Sequence, residues 1–221
     1  DLSMGFGAML AGHLNPTVVA AVGKALETGT LFVTPSPSAT DAAERFQRRF
    51  GLDQLRFANS GTEATMYALR TARAYTNRKA IIKIEGGYHG GYDALQVSVK
   101  PSVAEAGPEE APVPVTPFEV EAGTVHVVPY NDLDRLAQLF EAHGPEIACV
   151  FMEPVLENIG IVVPDEGYLA AVRAMCDAHG SLLVFDEVKT GLTAGPQGAS
   201  QRLGVKPDLV ALAKSIGAGL P

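Results

Sequence analysis

From residue 124 onward, short apolar segments alternate with stretches that have the periodicity of an amphipathic helix. Strands that alternate with helices build βαβ units, in which the strands run parallel and helices cover both faces of the sheet. The pattern therefore predicts an α/β fold with a mostly parallel sheet. The segments, strand and helix in turn, are TVHVV (124–128), NDLDRLAQLFEAHG (131–144), IACVFM (147–152), DEGYLAAVRAMCDAHG (165–180), SLLVF (181–185) and the final strand DLVALA (208–213).

The first half of the chain carries helix signals and two strand-like segments. Asn15 is placed to cap a helix in which Pro16 takes the first turn. The predicted helices span 15–29, 39–51 and 62–76, and the predicted strands span 54–59 and 80–86. Residues 100–123 contain five prolines and five glutamates, a composition that predicts a long excursion on the surface.

Length and charge narrow the function classes. The chain has 221 residues, of which 47% are hydrophobic, and a formal net charge of −8. One large domain or two small ones would fit this length, and the acidic balance argues against a nucleic-acid surface. No apolar run reaches the roughly 18 residues of a membrane span, and the first residues lack the basic segment of a secretory signal. From its first and last residues we expect a piece of a larger chain.

The two cysteines indicate neither a disulfide framework nor a zinc site. Cys149 lies in an apolar segment with strand character, and Cys176 lies in a helical pattern. We therefore expect two buried thiols in a reducing cytoplasm.

The residues that follow the predicted strands are polar, aromatic or glycine. In a parallel sheet, ligands bind beyond the carboxyl ends of the strands. Because these residues are expected at that one edge, they are predicted to form a single site. They are Asn59–Thr62, Glu85–His89, Glu153–Pro154, Asp186–Glu187 and Lys214.

Two of these segments have the chemistry of a phosphate site and of an aromatic contact. Ser60 and Thr62 supply hydroxyls, Gly61 permits a sharp turn, and the helix predicted after them directs free N–H groups at the turn, an arrangement that binds anions. The alternative is an ordinary N-cap. In EGGYHGGYD, four glycines surround Tyr88 and His89. The Tyr88 ring could cover a flat heteroaromatic molecule, or the segment could be a simple glycine-rich turn.

Two further residues point to a charged ring and a reactive amine. Asp186 ends an apolar segment and needs a cation, since carboxylates are almost never fully buried unless paired. The cation could be a lysine or arginine side chain, a metal, or the protonated ring nitrogen of a cofactor. In the last case Val188 could press against the ring. Of the seven lysines, Lys214 is the one that an apolar strand brings to the carboxyl edge, where a neutral lysine can form a Schiff base. Lys189 is interpreted as a solvated lysine of the turn.

One familiar cofactor requires all four of these features. They are a phosphate-binding turn, an aromatic side chain that covers a ring, an acid for a ring nitrogen and a Schiff-base lysine. Pyridoxal 5'-phosphate (PLP) needs a lysine for the Schiff base and an acid or arginine at its pyridinium nitrogen. The sequence therefore favours PLP as the cofactor, and its protonated pyridine nitrogen would be the cation that pairs with Asp186.

The motifs resemble those of the class III, fold-type I PLP-dependent aminotransferases, and most closely those of the glutamate-1-semialdehyde aminomutase-like branch. The resemblance covers nearly the whole chain, and the motifs occur in the order of the family. They are MGFGAMLAGHLNP, FANSGTEATMYALRTARAYTNR, KIEGGYHGGYD, VPYND, MEPV, LLVFDEVKTG and KPDLVALAKSIGAGLP.

The resemblance implies a domain arrangement and a role for each site residue. Residues 1–221 would form the PLP-binding large domain, entered through a short N-terminal segment of about 1–35, and the C-terminal small domain would be absent from this chain. Lys214 would carry the Schiff base and Asp186 would hold the ring nitrogen. The other implied contacts are Ser60, Gly61 and Thr62 at the phosphate, Tyr88 on the ring with His89 behind it, Val188 on the opposite ring face, and Glu153 and Asn158 near the ring hydroxyl or the substrate.

On the substrate side the sequence departs from the aminomutase-like branch. Glu157 stands where the branch has a glycine before Asn158, and Leu192 and Thr193 stand where it has an aromatic residue and an arginine. Because the cofactor residues are kept while these differ, we expect transamination between a small-molecule amino donor and an oxo acceptor.

Other functions remain open at this point. One is a glutamate-1-semialdehyde-type 2,1-aminomutase, and another is a non-catalytic PLP-fold domain, against which the presence of both Asp186 and Lys214 argues. A nucleotide-binding Rossmann-like domain would need a G-x-G-x-x-G motif after its first strand, which is missing. The resemblance further implies a homodimer with its active sites at the interface and a threonine from the partner subunit at the phosphate. From the charge, the apolar runs and the cysteines we expect a cytoplasmic protein with no nucleic-acid or membrane partner.

Overall fold

A computed structural model describes residues 1–108, 112–118, 120–121 and 123–220. Within these residues the helices are α1 (Pro16–Leu26), α2 (Pro37–Phe50), α3 (Gly61–Thr76), α4 (Val103–Ala106), α5 (Leu133–His143), α6 (Tyr168–His179), α7 (Thr190–Thr193) and α8 (Gly198–Arg202). The strands are β1 (Ala80–Ile84), β2 (Val125–Val128), β3 (Ile147–Met152), β4 (Leu182–Asp186) and β5 (Leu209–Ala211).

The strands form one sheet in the order β2-β1-β3-β4-β5. Each neighbouring pair is parallel, which confirms the predicted α/β fold with a mostly parallel sheet. From β1 the chain passes to one side to form β2, and it then crosses back over β1 to form β3. At such a reversal a crevice opens beyond the carboxyl ends of the two diverging strands. The topology therefore directs attention to the ends of β1 and β3.

Helices cover both faces of the sheet, as predicted. Successive side chains of a strand point to opposite faces, so each strand contributes to two hydrophobic cores. Helices α5 and α6 pack on one face, in a core that includes Ile82, Val150, Phe185, Phe140 and Val172. Helix α3 packs on the other face, in a core that includes Ile81, Phe151, Val184, Leu69 and Ala72.

The predicted helices form, with ends that differ by a few residues. The Asn15 side chain accepts hydrogen bonds from the first turn of α1, 3.0 Å from the Thr17 nitrogen, but this helix ends at Leu26 and not at the predicted Gly29. Helix α2 begins earlier than predicted, because Ser36 caps it and Pro37 takes its first turn. Cap chemistry therefore predicted the start of α1 correctly and was overlooked at α2.

The predicted strand at 54–59 is wrong, since residues 54–58 have no regular secondary structure. A segment forms a strand only where a neighbouring backbone pairs with its N–H and C=O groups. In the described sheet the edge strand β5 pairs only with β4, so residues 54–58 do not pair with it. This segment instead packs through side chains, with the Arg56 guanidinium 4.2 Å from the centre of the Tyr67 ring.

The predicted long loop is partly described. Helix α4 lies within it and begins with a capping box between Ser102 and Glu105. Part of the predicted loop therefore has regular structure. Residues 107–108, 112–118, 120–121 and 123 of the predicted loop form no helix or strand. Residues 109–111, 119 and 122 lie outside the described residues.

Two composition-based expectations can be compared with the fold. Cys149 and Cys176 are both free and buried, as predicted, and burial raises the pKa of the Cys176 thiol to about 12. No helix in the described ranges is long and apolar enough to cross a membrane.

Candidate active site

A cavity of about 230 Å³ lies at the carboxyl ends of the strands, beside the crevice between β1 and β3. Its wall brings together residues from five separate segments of the chain. Of the predicted site residues, the wall contains Ser60, Gly61, Thr62, Tyr88, His89, Glu153, Asp186, Val188 and Lys214. Residues that were not predicted as part of the site complete it, namely Thr65, Gly90, Lys189 and Ala213.

One wall is the N-terminus of helix α3. Ser60 is the N-cap, with extended backbone angles, and its hydroxyl accepts a hydrogen bond of 3.1 Å from the Glu63 nitrogen. The Glu63 carboxylate in turn accepts one of 2.5 Å from the Asn59 nitrogen. The first N–H groups of a helix have no intrahelical partners and carry partial positive charge. This wall is therefore an ordinary helix cap, and its expected role as a phosphate site stays a prediction.

The glycine-rich turn after β1 forms the adjoining wall. Gly90 has a φ of +87°, and a Cβ added there would lie 2.5 Å from the Thr62 hydroxyl oxygen. The Thr62 hydroxyl also accepts a hydrogen bond of 3.1 Å from the Gly91 nitrogen, and the Thr65 hydroxyl lies 2.7 Å from the His89 carbonyl oxygen. The turn therefore docks directly on the start of α3, and only glycine fits at position 90.

Asp186 and His89 form a buried pair at the base of the cavity. The two side chains are 4% and 0% exposed, and the Asp186 Oδ2 lies 2.8 Å from the His89 Nδ1. The other carboxylate oxygen of Asp186 accepts a hydrogen bond of 3.0 Å from the Val188 nitrogen. The His89 ring packs edge-on against Phe151, 4.9 Å between centres. The pair fixes the direction in which the Asp186 carboxylate faces the cavity.

Glu153 connects β3 to the glycine-rich turn. Its carboxylate accepts one hydrogen bond of 3.2 Å from the Tyr88 nitrogen and another of 3.0 Å from the Glu157 nitrogen. Burial raises the pKa of this carboxyl group above its ordinary value. The Tyr88 side chain is 44% exposed at the mouth of the cavity, where its ring is accessible to a ligand.

Asn158 does not line this cavity. Its side-chain amide donates hydrogen bonds to the carbonyl oxygens of Gly86, at 2.9 Å, and of Val99, at 3.3 Å. In the structure it braces the glycine-rich turn from outside, and its expected place near a ring hydroxyl or substrate stays a prediction.

Lys214 follows β5 and begins a short 3-10 turn, with a positive φ of 52°. Burial lowers the pKa of its ammonium group from the ordinary value, and the charge of Lys189 lowers it further, while Asp186 and Glu153 raise it. A lysine whose pKa is lowered has a larger neutral fraction, which is the nucleophilic form. The cavity thus contains an amine in a setting that favours reactivity.

Lys189 occupies a different environment from the one expected. The sequence suggested a solvated lysine of the turn, but the side chain is half-buried and lines the cavity together with Lys214. The reason is that β4 ends at Asp186 and the chain then turns directly into α7, which brings Lys189 alongside the cavity.

The second acid of the Asp186–Glu187 pair has a separate, structural task. The buried Glu187 carboxylate accepts hydrogen bonds from the Ala199 nitrogen at 2.6 Å, the Ser200 nitrogen at 3.0 Å and the Thr190 hydroxyl at 3.0 Å. It therefore ties α7 to the start of α8. The sequence places Glu187 directly after Asp186, and nothing in it indicated that one acid would have a structural role and the other a role in the cavity.

Lys83 is a buried residue near the site that the sequence interpretation missed. It lies in β1 with 0% exposure, and burial lowers its pKa to about 7. Strands that are covered on both faces are usually continuously apolar. A lysine within AIIKI was therefore a signal that could have been noticed.

Comparison with known proteins links this geometry to one family. A family model described as aminotransferase class-III matches residues 1–221. The chain is 44% identical over 219 residues to the glutamate-1-semialdehyde 2,1-aminomutase of Symbiobacterium thermophilum. This alignment covers 98% of this chain and 49% of that protein. An omega-transaminase from Sphaerobacter thermophilus superposes with a TM-score of 0.93 at 38% identity, over 99% of this chain and 51% of the other.

A transaminase solved with PLP bound is also similar. It superposes with a TM-score of 0.87 at 34% identity, over 99% of this chain and 51% of the other. These likenesses confirm the predicted fold-type I class. The chain spans about half the length of the curated relatives that it matches.

Proposed function

Since the chain belongs to the class-III aminotransferase family, whose enzymes depend on PLP, we propose that it moves an amino group between a small-molecule amino donor and an oxo acceptor. One observation carries the proposal. A single cavity is lined by a half-buried lysine, Lys214, by the buried carboxylate of Asp186 and by the free N-terminus of α3. These are the three groups that must converge on PLP.

The residues of the cavity fit PLP on the basis of their own chemistry. The Asp186 oxygens accept bonds from His89 and from the Val188 nitrogen, and each oxygen keeps a further lone pair for a ring N–H. The first turn of α3 with Ser60 and Thr62 offers N–H and hydroxyl donors for a phosphate. PLP supplies an aldehyde that links to amines and a ring that accepts electrons from the substrate carbon.

Each residue then has a proposed task. The Lys214 amine would hold the cofactor through its aldehyde, and as a free amine it would carry a proton to and from the substrate carbon as a general base and acid. Asp186 keeps a proton on the ring nitrogen, since an opposite charge favours the protonated form. His89 holds Asp186 in place, and Glu153 and Asn158 support the turn that carries Tyr88. Tyr88 and Val188 would cover the two sides of the ring.

A second candidate function is an aminomutase reaction, in which the amine returns to the neighbouring carbon of the same molecule. It is favoured by the name of relatives at 44% identity, glutamate-1-semialdehyde 2,1-aminomutase. Transamination is favoured by the departures from the aminomutase-like branch on the substrate side, at Glu157, Leu192 and Thr193. Product analysis with glutamate-1-semialdehyde alone separates the two, because an aminomutase forms 5-aminolevulinate from it without an added amino acceptor.

The proposal includes a cytoplasmic homodimer with the active sites at its interface. Support comes from residues 1–50, none of which is buried. Large apolar side chains are exposed there, namely Leu2, Phe6, Leu14, Leu31 and Val33. Exposed apolar surface of this extent is typical of an interaction site. Sedimentation of the full-length protein would test the dimer, and a monomer at working concentration would contradict it.

The test of the proposed function is to find the lysine that the cofactor modifies. The full-length protein is incubated with PLP, reduced with borohydride and digested, and the pyridoxyl-lysine is located by mass spectrometry. We expect the tag on Lys214. A tag on Lys189, or tags spread over several lysines, would contradict the assignment.

Gly90→Ala is predicted to weaken PLP binding by about 10-fold or more, the scale of a shifted pair of charge-assisted hydrogen bonds. The new Cβ would collide with Thr62, at 2.5 Å from its hydroxyl oxygen and 2.7 Å from its Cα, so that the phosphate donors move. Gly91→Ala is the matched control, because nothing lies within 4 Å of a Cβ at that position. Equal PLP affinity of both variants, measured by absorbance titration, would contradict the prediction.

Lys189→Met is predicted to raise the pKa of Lys214, because it removes a like charge that lowers this pKa. A higher pKa means that the neutral amine of Lys214 appears at higher pH. The rate at which acetic anhydride labels Lys214 in the cofactor-free protein would be followed against pH. The midpoint should move upward in Lys189→Met and stay in place in Lys206→Met, since Lys206 is exposed. A midpoint that falls or does not move would refute the coupling.

A further inference from the structure

Lys83 is a fully buried lysine that the proposed chemistry does not use. It lies in β1, between β2 and β3, and its side chain is 0% exposed. Lysine is almost never fully buried unless it is paired, because desolvation penalises the ammonium group. Its retention inside the sheet calls for a specific interaction partner.

Two backbone carbonyl groups are those partners. The Lys83 Nζ lies 2.6 Å from the Gly87 oxygen and 3.1 Å from the Ile84 oxygen. A neutral primary amine has two N–H groups, and these two acceptors satisfy both. Burial lowers the pKa of Lys83 to about 7, against the opposing charges of Glu153 and Glu85, so a neutral amine is accessible near neutral pH.

The Gly87 carbonyl belongs to the peptide group that leads into Tyr88. The oxygen of this peptide group accepts from Lys83, and its N–H donates to the Glu153 carboxylate at 3.2 Å. The peptide plane between Gly87 and Tyr88 is thus held at both ends, by a side chain from β1 and by one from the residue that follows β3. Its orientation sets the direction in which the Tyr88 side chain leaves the backbone.

The strand residue opposite Lys83 contacts His89, another cavity residue of the turn. In the register of β1 with β3, Lys83 is opposite Phe151, and the His89 ring packs on Phe151 at 4.9 Å between centres. Lys83 has the same parity as Ile81, so its side chain points to the α3 face of the sheet. Tyr88 and His89 are therefore both supported by side chains from the sheet, Tyr88 through Lys83 and His89 through Phe151.

We propose that Lys83 is a positioning residue that clamps the Gly87–Tyr88 peptide group and so sets Tyr88 for contact with the cofactor ring. This rests on the proposed function, since the cofactor is PLP. Lys83 itself touches neither cofactor nor substrate and acts through Tyr88.

A double-mutant cycle on the full-length protein tests this role. Lys83→Met should weaken PLP binding by about 10-fold, the scale of coupling between groups in contact, and should reduce the visible circular dichroism of the bound cofactor. In a Tyr88→Ala background the same substitution should change PLP affinity by less than about 2-fold. Lys79→Met is the control, because the Lys79 side chain is 80% exposed just before the same strand. An equal loss in both backgrounds would assign Lys83 a general structural role and overturn the proposal.

A second readout separates failure of this proposal from failure of the proposed function. In the cofactor-free protein, hydrogen exchange at the Tyr88 amide should be faster in Lys83→Met than in the wild type or in Lys79→Met. If it is faster but wild-type Lys214 takes no pyridoxyl tag, the clamp exists and the PLP assignment fails. If Lys214 is tagged and neither exchange nor affinity changes, the Lys83 proposal alone fails. Loss of folded protein in both Lys83→Met and Lys83→Gln would also overturn it, by making Lys83 a requirement of the fold.

Discussion

Replacing Lys214 with alanine should lower the rate of amino transfer by at least about 10³-fold, because one substitution removes both the nucleophile and the general base. Lys214 is a half-buried amine of the cavity, and its pKa is lowered mainly by burial. Among the described residues, Lys189 is the one other lysine that lines this cavity. Weak cofactor binding should persist, since the phosphate donors at the start of α3 remain. Initial rates at saturating PLP, with absorbance of the bound cofactor, would measure both effects.

The matched control is Lys206→Ala, an exposed lysine before β5. It should keep wild-type turnover, which rules out a general effect of losing a positive charge. Partial return of activity in Lys214→Ala on adding methylamine would indicate that the missing group is an amine base. Wild-type turnover by Lys214→Ala would overturn the site assignment.

Replacing Asp186 with alanine should cost about 3 kcal/mol or more of transition-state stabilisation, roughly a 10²-fold fall in kcat/KM. The substitution removes the carboxylate that would keep the ring nitrogen protonated. It also leaves His89, whose side chain is 0% exposed, without the partner now 2.8 Å from its Nδ1. Because a buried group loses its pair, the free energy of unfolding should fall as well.

Two further variants separate the catalytic effect of Asp186 from its effect on stability. Asp186→Asn keeps the shape of the side chain but removes the charge, so its loss in kcat/KM should greatly exceed its loss in stability. Asp177→Ala removes an exposed carboxylate, 66% exposed on α6, and should change neither. Rates and chemical denaturation of all three would be compared, and a kcat/KM for Asp186→Ala above one tenth of wild type would count against the assignment.

The regular elements were predictable because their signals are local. Strand segments such as IACVFM and LLVF are continuously apolar, as strands covered on both faces must be, and all six residues of β3 are buried. The start of α3 was predictable from Ser60 and the glutamate three residues later. Such signals depend on neighbours in the sequence, so they survive without knowledge of the fold.

The errors concern contacts between distant parts of the chain. Residues 54–58 have strand-like composition but no pairing strand, and pairing cannot be deduced from one segment. Lys189 has the sequence context of a solvated turn lysine, yet it lines the cavity. The task of Lys83 depends on the Gly87 carbonyl, which the fold of the following turn brings above it.

The sequence by itself determined the alternation of strands and helices, the caps, and the set of residue types that PLP chemistry needs, because each depends on local pattern or on composition at strand ends. Tertiary structure alone decided the strand order β2-β1-β3-β4-β5 and which strand-end residues share one cavity. It also decided the environment of each of these residues. Asp186 forms a buried pair with His89, Glu187 has a structural role, and the pKa of Lys214 is lowered. The physical reason is that desolvation and charge interactions depend on distances in space between residues far apart along the chain.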